Sequence, residues 1–229
     1  MDKLIPAPDL AAKRRPLFAG ESADYARARQ ALLAEEIEVR RHLSRVADQR
    51  GALPPGPVIE KDYRFLDAKG AELKLIDLFG PHDTLVTYFW MYGPERKRPC
   101  PMCTNFLGPL DANDIMQKVA LKVLGRSPVA RQLEFARERG WAALEFLQTV
   151  GDDYAGDQGL LTPDGEFPSL VVFRRDGDTV RLFWAGEILG EMADPNQDGR
   201  GAPDMAPLWN ILDITPAGRD AKWYPKLDY

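Results

Sequence analysis

The sequence has little of what metal sites, disulfide scaffolds and membrane spans require. Its 229 residues include two cysteines and two histidines, and no apolar run is long enough to cross a bilayer. Two cysteines cannot serve as the disulfide scaffold of a chain this long. A structural zinc site usually has four Cys or His ligands, and His42 and His82 lack zinc-finger spacing. We therefore predict no metal site, no cofactor and no membrane partner.

An excess of basic residues is also absent. The formal net charge is −5, which argues against a general nucleic-acid-binding protein, because such proteins need a basic face to displace counterions from phosphates. Residues 1–9 contain charges and prolines but no continuous apolar segment, so no secretory signal is visible. These features predict a cytoplasmic protein without a nucleic-acid partner.

Both cysteines lie in one motif, Cys100-Pro-Met-Cys103. The apolar, β-branched and aromatic run of residues 84–92 precedes it and predicts a buried strand. A basic turn, residues 96–98, leads into the motif, and we predict a helix from residue 101 to about residue 116. In a reducing compartment a surviving cysteine pair is more often catalytic, redox-sensing or metal-binding than structural. Chance, or two thiols acting as small apolar core residues, remains the alternative explanation.

The N-terminal part predicts a separate helical arm. Residues 1–20 are rich in Pro and basic residues, and we expect them to wrap the surface or stay mobile. Residues 22–50 have no Pro or Gly, and Ser22 is a suitable N-cap, so they predict one long helix that ends at Gly51. Its apolar stripe is thin, which suits an arm lying across its own domain or, alternatively, a homodimer contact. The predicted division is 1–57 as tail and arm, 58–215 as one domain, and 216–229 as a C-terminal tail.

The remaining pattern predicts alternating strands and helices followed by a hairpin. This order calls for a parallel sheet with right-handed crossovers. Residues 142–150 fit either a strand or a helical turn. The first predicted elements are a hairpin of strands 58–66 and 72–78, a strand 118–124, and a helix that has Ser127 as N-cap and Pro128 as first residue and ends at Gly140. An acidic surface loop is predicted over 151–165. It is followed by a hairpin of residues 167–178 and 179–185, a loop 186–207, and a short helix 206–214.

This order resembles the thioredoxin fold, in which Phe167-Pro168-Ser169-Leu170 would occupy the position of the cis-proline segment. More closely, the chain resembles the bacterial thioredoxin-like family known as domain of unknown function 899, or DUF899. The resemblance implies an α/β thioredoxin-like fold, a central mixed sheet flanked by helices, with an N-terminal β-hairpin and a long N-terminal helical arm. The motifs that carry it are Ala26-Arg-Ala-Arg-Gln-Ala-Leu-Leu-Ala-Glu-Glu36, Asp77-Leu-Phe-Gly80, Tyr88-Phe-Trp-Met-Tyr-Gly-Pro94, Cys100-Pro-Met-Cys103, Ser127-Pro-Val-Ala130, Arg139-Gly-Trp141 and Leu212-Asp-Ile-Thr-Pro-Ala-Gly-Arg219.

The chemistry of the motif follows from thiolate reactivity. Cys100 would be the N-cap of a helix opened by Pro101, where unpaired N–H groups and the helix dipole stabilise a thiolate. Arg98 and its basic neighbours add positive charge. Cys100 is therefore the predicted attacking residue, and Cys103, about one turn later, is the predicted resolving residue. The resemblance to the thioredoxin fold implies that Pro168 faces Cys100 and Cys103, and that the backbone beside it presents an edge to an extended substrate.

Three functions remain open at this stage. The first is a thiol-disulfide oxidoreductase that acts on protein or small-molecule disulfides with an unidentified electron donor. The second is a peroxiredoxin-like thiol peroxidase, in which peroxide oxidises Cys100 and Cys103 condenses with the sulfenic acid. The third is a non-enzymatic redox-sensing or binding domain. Trp90 and Trp184 are predicted to be core or rim aromatics, with a supporting or substrate-contacting role for Trp90 as the alternative.

Overall fold

The structure of the protein is a computed structural model that describes residues 4–163, 165–186, 192, 194–195, 206–220 and 222–229. Contacts between α-carbons divide the chain into two compact units, Met1–Pro54 and Pro55–Tyr229. Most of the predicted loop 186–207 lies outside the described residues. Among the residues that the structure describes, no helix is both long enough and apolar enough to cross a membrane.

The first unit consists of two helices, α1 (Ala7–Ala11) and α2 (Ala23–Gly51). The Ser22 hydroxyl accepts a hydrogen bond from the Tyr25 N–H group at 3.1 Å, so the predicted N-cap and the long helix are confirmed. Two alanines of α1 are buried against Ile37 of α2. Part of the N-terminal segment that we expected to wrap the surface or stay mobile is thus a helix packed on α2.

The second unit is built on a mixed sheet. Within the described residues its strand order is β2-β1-β5-β4-β3-β8-β9, and a separate two-stranded sheet pairs β6 with β7. The strands are β1 (Arg64–Leu66), β2 (Glu72–Lys74), β3 (Thr84–Phe89), β4 (Ala120–Gly125), β5 (Glu145–Thr149), β6 (Leu161–Thr162), β7 (Gly165–Glu166), β8 (Ser169–Asp176) and β9 (Thr179–Ala185). The segment whose type the sequence left open, 142–150, therefore contains a strand.

Helices connect the parallel strands at the centre of this sheet. Strands β3, β4 and β5 are parallel neighbours, whereas β8 runs antiparallel to β3 and continues into the hairpin with β9. The helices of this unit are α3 (Pro101–Leu107), α4 (Asn113–Met116), α5 (Val129–Arg139), α6 (Asp153–Asp157) and α7 (Pro207–Asp213). A βαβ unit followed by an antiparallel hairpin, in the order β4-β3-β8-β9, is a thioredoxin-like fold, and the predicted class is confirmed.

The N-terminal hairpin is shorter than predicted. Residues Leu75–Phe79 form a 3-10 helix instead of the end of a strand. Its buried residues Leu75, Leu78 and Phe79 follow helical spacing, and the Asp77 carboxylate accepts a hydrogen bond from the Lys74 N–H group at 2.8 Å. The first strand is limited to β1, because the chain near Val58 bridges to Arg181 of β9 instead.

Two predicted helices also differ in detail. The helix expected over 101–116 is interrupted at Gly108-Pro109, because Pro109 has no N–H group to continue the hydrogen bonds of α3. Pro128, and not Ser127, is the N-cap of α5, since the Ser127 hydroxyl donates instead to the carbonyl oxygen of Tyr92. The end of α5 at Gly140, with φ of 72°, is as predicted.

The acidic segment 151–165 is not entirely a loop. It contains helix α6 and strand β6, and two of the α6 residues, Tyr154 and Ala155, are buried. Tyr154 packs edge-on against Phe65 of β1, with ring centroids 5.5 Å apart. The many Asp and Gly residues of the segment obscured these two apolar anchors, whose burial holds the segment on the sheet.

Adjacent residues of β3 point to opposite faces of the sheet. Leu85 and Phe89 belong to a cluster that we call the apolar face, with members Phe65, Phe79, Leu124, Val171 and Phe173. Tyr88 and Trp90 belong to the cluster that we call the cysteine face, with members Tyr92, Cys103, Leu107, Val123, Phe135 and Phe146. The predicted motif therefore packs on one defined side of the sheet.

Candidate active site

Cys100 is the N-cap residue of α3 and is partly exposed. Its N–H group donates to the carbonyl oxygen of Met91 at 3.1 Å, which ties the motif to the chain just beyond β3. Its own carbonyl accepts the first helical hydrogen bond, from the Thr104 N–H group at 3.0 Å, and a second from the Thr104 hydroxyl at 2.9 Å. Pro101 occupies the first helical position, where a missing N–H group costs nothing.

Cys103 lies one turn further along α3 and is 1% exposed. Both cysteines are free thiols in this structure. Both cysteines lie at the start of α3, and each is the largest influence on the pKa of the other. The spacing of the motif predicted two thiols at the start of one helix, and the structure adds that one is partly exposed and the other buried.

The surroundings of Cys100 favour its thiolate. They lower the pKa of this thiol from its ordinary value of 9.0 to about 6. The largest cause is the hydrogen bond from the Cys103 thiol; the N–H groups of Cys103 and Met102 and the charge of Arg96 act in the same direction, and partial burial opposes them. The Cys100 sulfur accepts no side-chain N-cap hydrogen bond, so these two N–H groups act on it from a longer distance. At neutral pH Cys100 is therefore mainly a thiolate.

The surroundings of Cys103 have the opposite effect. Its role as hydrogen-bond donor to Cys100 raises its pKa well above the ordinary value, and burial and the negative charge of Cys100 add to that rise. Contacts from the Tyr88 hydroxyl and the Met91 N–H group lower it in part. Cys103 consequently keeps its proton while Cys100 is a thiolate.

Tyr88 is a site residue that the sequence did not reveal. It is 7% exposed on β3, its ring stacks on Phe106 of α3 with centroids 4.9 Å apart, and its hydroxyl partly lowers the pKa of Cys103. Burial, followed by the charges of the two thiols, raises the pKa of Tyr88 well above 10.0, so this hydroxyl keeps its proton. The sequence predicted Tyr88 only as part of a buried strand. The alternation of side chains along a strand places Tyr88 and Trp90 on the same face, but it does not show which face the cysteines pack on.

Two arginines of the basic turn have different partners. The Nε atom of Arg96 lies 3.6 Å from a carboxylate oxygen of Glu166, and its charge contributes to the low pKa of Cys100. Arg98, the predicted site residue, is 3.5 Å from the Asp228 carboxylate and lies over the ring of Phe135. The structure thus directs Arg98 toward the C-terminal tail, and Arg96 is the basic residue that acts on the thiol.

The turn itself is held from both sides. The Glu166 carboxylate accepts hydrogen bonds from the Gly93 N–H group at 2.8 Å and from Arg126 at 3.0 Å. A side chain at residue 93 would collide with that carboxylate, since an added β-carbon would lie 2.2 Å from its oxygen. Arg131 of α5 donates to the carbonyl oxygens of Arg96 and Lys97. These contacts fix the approach to Cys100.

Trp90 is completely buried in the cysteine face. Its ring packs against Tyr92, Phe135 and Phe146, with ring centroids 5.0 to 5.6 Å apart. A fully buried ring cannot contact a substrate in this conformation, and the structure places Trp90 among the aromatic rings of the cysteine face. Trp184 lies on β9 and is partly exposed.

Pro168 directly precedes β8 and is exposed. The next residue, Ser169, pairs with Phe89, the last residue of β3, so Pro168 lies beside the end of the strand that leads to the motif. It also borders a groove of about 1150 Å³, whose apolar wall includes Val171, Phe173 and Leu182. Because Val171 and Phe173 belong to the apolar face, this groove opens away from the cysteines.

The site holds a thiolate nucleophile, Cys100, and a second thiol, Cys103, that can attack the Cys100 sulfur once it is part of a mixed disulfide or a sulfenic acid. Among the described residues, no three His, Cys, Asp or Glu side chains come together as metal ligands. The chemistry that these groups support is exchange or oxidation at sulfur, with Cys100 accessible and Cys103 behind it.

Several solved structures resemble the chain. PrxQ from Xylella fastidiosa is 16% identical, with 58% of this chain and 84% of that chain covered and a TM-score of 0.43. The exposed lipoprotein thioredoxin Etrx1 from Streptococcus pneumoniae is 14% identical, with 67% and 100% covered and a TM-score of 0.40. The reduced 2-Cys peroxiredoxin of Plasmodium vivax is 14% identical, with 69% and 94% covered and a TM-score of 0.42. With every one of these TM-scores below one half, the likeness says nothing about chemistry at the site.

Sequence comparison identifies the family instead. No curated protein matches the chain. The model of a bacterial family of proteins of unknown function matches residues 16–229, which include α2, the cysteine motif and the C-terminal helix. The chain therefore belongs to the DUF899 family.

Proposed function

We propose that the protein is a thiol-disulfide oxidoreductase in which Cys100 attacks and Cys103 resolves. The observation that carries this proposal is the opposite effect of the structure on two thiols three residues apart. The pKa of partly exposed Cys100 is lowered to about 6, whereas that of buried Cys103 is raised. Two structural cysteines do not require different thiol pKa values. An attacking thiol requires a low pKa, so that it is a thiolate, and a resolving thiol stays protonated until its own step.

The reaction begins with the reduced protein and a substrate disulfide. The Cys100 thiolate attacks one substrate sulfur, the substrate S–S bond breaks, and the first substrate half leaves as a thiolate that takes a proton from water. Cys103 then loses its proton and attacks the Cys100 sulfur, and the second substrate half leaves as a thiolate that is protonated in turn. The substrate gains two electrons and two protons, and the protein is left with a Cys100–Cys103 disulfide.

The other predicted site residues have supporting roles in this proposal. Pro101 starts α3 and leaves the N–H groups of the first turn directed at Cys100. Arg98 belongs to the positively charged turn through which a substrate approaches, and Trp90 forms the floor under the motif. The exposed edge at Pro168 is the place for an extended substrate chain. The reaction also requires an electron donor to reduce the protein disulfide, as expected for a cytoplasmic enzyme.

Single-serine variants test the proposal. We expect the wild-type protein to reduce insulin disulfides with a dithiol as electron donor, and Cys100→Ser to abolish this activity. Cys103→Ser should instead accumulate a covalent mixed disulfide through Cys100, which intact-mass measurement detects before and after treatment with reductant. If insulin reduction by Cys100→Ser equals that of the wild type, the proposed roles are wrong.

A peroxide assay separates the other functions. Consumption of hydrogen peroxide without insulin reduction would make the protein a thiol peroxidase, because the same low pKa makes Cys100 sensitive to oxidation. Formation of the Cys100–Cys103 disulfide in a single turnover, with no steady-state rate for either substrate, would make it a redox sensor. The three readouts use the same purified protein and the same two variants.

A further inference from the structure

We propose that Glu166 is a positioning residue, whose carboxylate holds the turn that precedes Cys100 against the segment that leads to Pro168. This inference rests on the proposed oxidoreductase function, in which an extended disulfide substrate meets Cys100 and the backbone edge at Pro168 together. It assigns a role to a buried charged side chain that the two-cysteine mechanism alone does not use.

The backbone fixes where the Glu166 side chain starts. Glu166 is the last residue of β7, where it pairs with Leu161 of β6, and Pro168 follows two residues later. The Phe167 N–H group donates to the carbonyl oxygen of Leu160 at 2.8 Å, which holds the next residue as well. The Glu166 side chain is 6% exposed. A carboxylate buried to this extent must be paired or hydrogen-bonded.

The partners of this carboxylate belong to other parts of the chain. One oxygen accepts a hydrogen bond from the Gly93 N–H group at 2.8 Å and lies 3.6 Å from the Nε atom of Arg96. The second oxygen accepts a hydrogen bond at 3.0 Å from Arg126, which directly follows the end of β4. One side chain therefore joins β7, the end of β4 and the turn that precedes Cys100.

The contact with Gly93 acts close to the cysteine motif. Gly93 lies two residues after Met91, whose carbonyl oxygen accepts the hydrogen bond from the Cys100 N–H group at 3.1 Å. A β-carbon at residue 93 would lie 2.2 Å from an oxygen of Glu166, so the turn and the carboxylate are packed without spare room. A change in either partner should therefore displace the chain that holds Cys100.

An extended substrate makes this alignment necessary. A small disulfide needs to reach only the Cys100 thiolate, whereas a polypeptide disulfide must also lie along the edge at Pro168. The Glu166 carboxylate links these two parts, because it is two residues from Pro168 and is hydrogen-bonded to the turn before Cys100. Misplacement of a reacting group by about 1 Å can lower a rate about 100-fold. The cost of losing the carboxylate should therefore depend on the size of the substrate.

The Glu166→Ala variant removes the carboxylate, and two disulfides of different size measure the result. Insulin is the extended substrate, and kcat/KM for its reduction is measured with a dithiol as electron donor. The small substrate is 4,4′-dithiodipyridine, an uncharged disulfide whose reaction with the reduced protein is followed by stopped-flow absorbance. We expect kcat/KM for insulin to fall about tenfold and the rate constant for 4,4′-dithiodipyridine to change less than about threefold.

The ratio of these two rate constants is the decisive quantity. At a single pH it cancels any change in the ionisation of Cys100, because the same thiolate attacks both disulfides. A general loosening of the fold lowers both rate constants and leaves the ratio unchanged. A fall in the ratio therefore reports the alignment of Cys100 with the edge at Pro168.

Two variants serve as controls. Asp152→Asn removes the charge of the other carboxylate that pairs with Arg126, 2.7 Å from its Nε atom, and leaves the contact with Gly93 intact. We expect the wild-type ratio for this variant. Glu166→Gln retains a side-chain oxygen that accepts the hydrogen bond from Gly93, and it should recover most of the insulin activity that Glu166→Ala loses.

Gly93→Ala tests the same contact from the other side. The φ angle of Gly93 is not positive, so the new side chain meets the Glu166 carboxylate but no backbone strain. We expect the ratio to fall as it does for Glu166→Ala. The double variant should be no worse than Glu166→Ala alone, because the oxygen that collides with the new methyl group is gone.

The outcomes separate this inference from the proposed function. If Glu166→Ala reduces insulin with the wild-type ratio of rate constants, the positioning role is wrong and the oxidoreductase proposal stands. If the wild type reduces no insulin, the oxidoreductase proposal fails and this inference fails with it. If Glu166→Ala does not fold, Gly93→Ala decides, and a wild-type ratio for that variant overturns the inference.

Discussion

Both faces of the central sheet bury large aromatic side chains, but the two cysteines lie on only one of them. On the apolar face, Phe89 is completely buried and the hydroxyl of Tyr154 contacts that of Thr87, 3.3 Å away. On the cysteine face, Tyr88 is almost as buried, and it packs in the same cluster as Cys103.

This difference shows how one strand serves stability and chemistry at the same time. Adjacent residues of β3 point to opposite faces, so Phe89 packs the apolar face while Tyr88 and Trp90 pack beneath the motif. Both faces are stabilised by burial of apolar surface. The pKa values of the two cysteines are shifted in opposite directions on the cysteine face, and variants of the two faces should therefore have separable effects.

The largest expected effect is on stability from the apolar face. Phe89→Ala should lower the free energy of unfolding by roughly 3–5 kcal/mol, because it leaves a cavity in a fully buried cluster. The pKa of Cys100 should stay at its wild-type value, since Phe89 lies on the other side of the sheet. Chemical denaturation and ultraviolet titration of the thiolate measure the two quantities.

Phe89→Leu is the matched variant for this effect. It keeps most of the buried volume and should lower the free energy of unfolding by about 1 kcal/mol. A large change in the Cys100 pKa with either variant would show that the two faces are not chemically independent.

A smaller effect should appear in the pH dependence of stability. The folded state lowers the pKa of Cys100 from 9.0 to about 6, so this thiolate stabilises the reduced protein fully above pH 9, and the contribution is lost as the pH falls toward 6. The raised pKa of Cys103 lowers the free energy of unfolding, but only above about pH 9.0. At such pH the Cys103 thiol ionises in the unfolded chain while it stays protonated in the folded protein. Between pH 6 and 9 the free energy of unfolding should therefore rise more steeply for the wild type than for Cys100→Ser.

Denaturant titrations of the reduced proteins at several pH values measure this difference. Met102→Leu is a suitable control, because it changes a side chain beside the motif and keeps both thiols. Equal slopes for the wild type and Cys100→Ser would show that the folded state does not favour the thiolate.

The smallest effect should come from the basic turn. Arg96→Gln should raise the pKa of Cys100 by about 0.5, because a partly exposed charge is screened by water and salt. Arg98→Gln should raise it less, since Arg98 is directed toward Asp228 and Phe135. Thiolate absorbance titrations at low and high ionic strength provide the measurement. A larger change with Arg98→Gln would reverse the assignment made from the two ion pairs.

The fold was largely predictable because its signals are local. The run of residues 84–92 predicted β3, Ser22 predicted the start of α2, and the hairpin of β8 and β9 followed from two β-rich segments joined by Asp-Gly. The predictions failed where local signals conflicted. Leu75–Phe79 is apolar enough for a strand, but its spacing is helical, and Gly108-Pro109 interrupts a segment with otherwise suitable helix formers.

The candidate site was predictable only in part. The spacing of Cys100 and Cys103 and the helix opened by Pro101 are visible in the sequence, because they are neighbours along the chain. The packing of Tyr88 and Cys103 in one cluster and the ion pair of Arg96 with Glu166 bring together residues 15 and 70 positions apart, from 103 − 88 and 166 − 96. Such contacts depend on the register of strands and the packing of α3, which no local pattern encodes.

By itself, the sequence determined the family motifs, the order of strands and helices around the motif, and the position of two thiols at the start of one helix. Only the tertiary structure decided that Cys103 is buried, that Tyr88 packs in the same cluster, and that Arg96 is the basic residue acting on Cys100. The physical reason is that helix starts and strand runs depend on residues close in sequence, whereas a pKa depends on whatever charge, donor or apolar surface folding brings to the group.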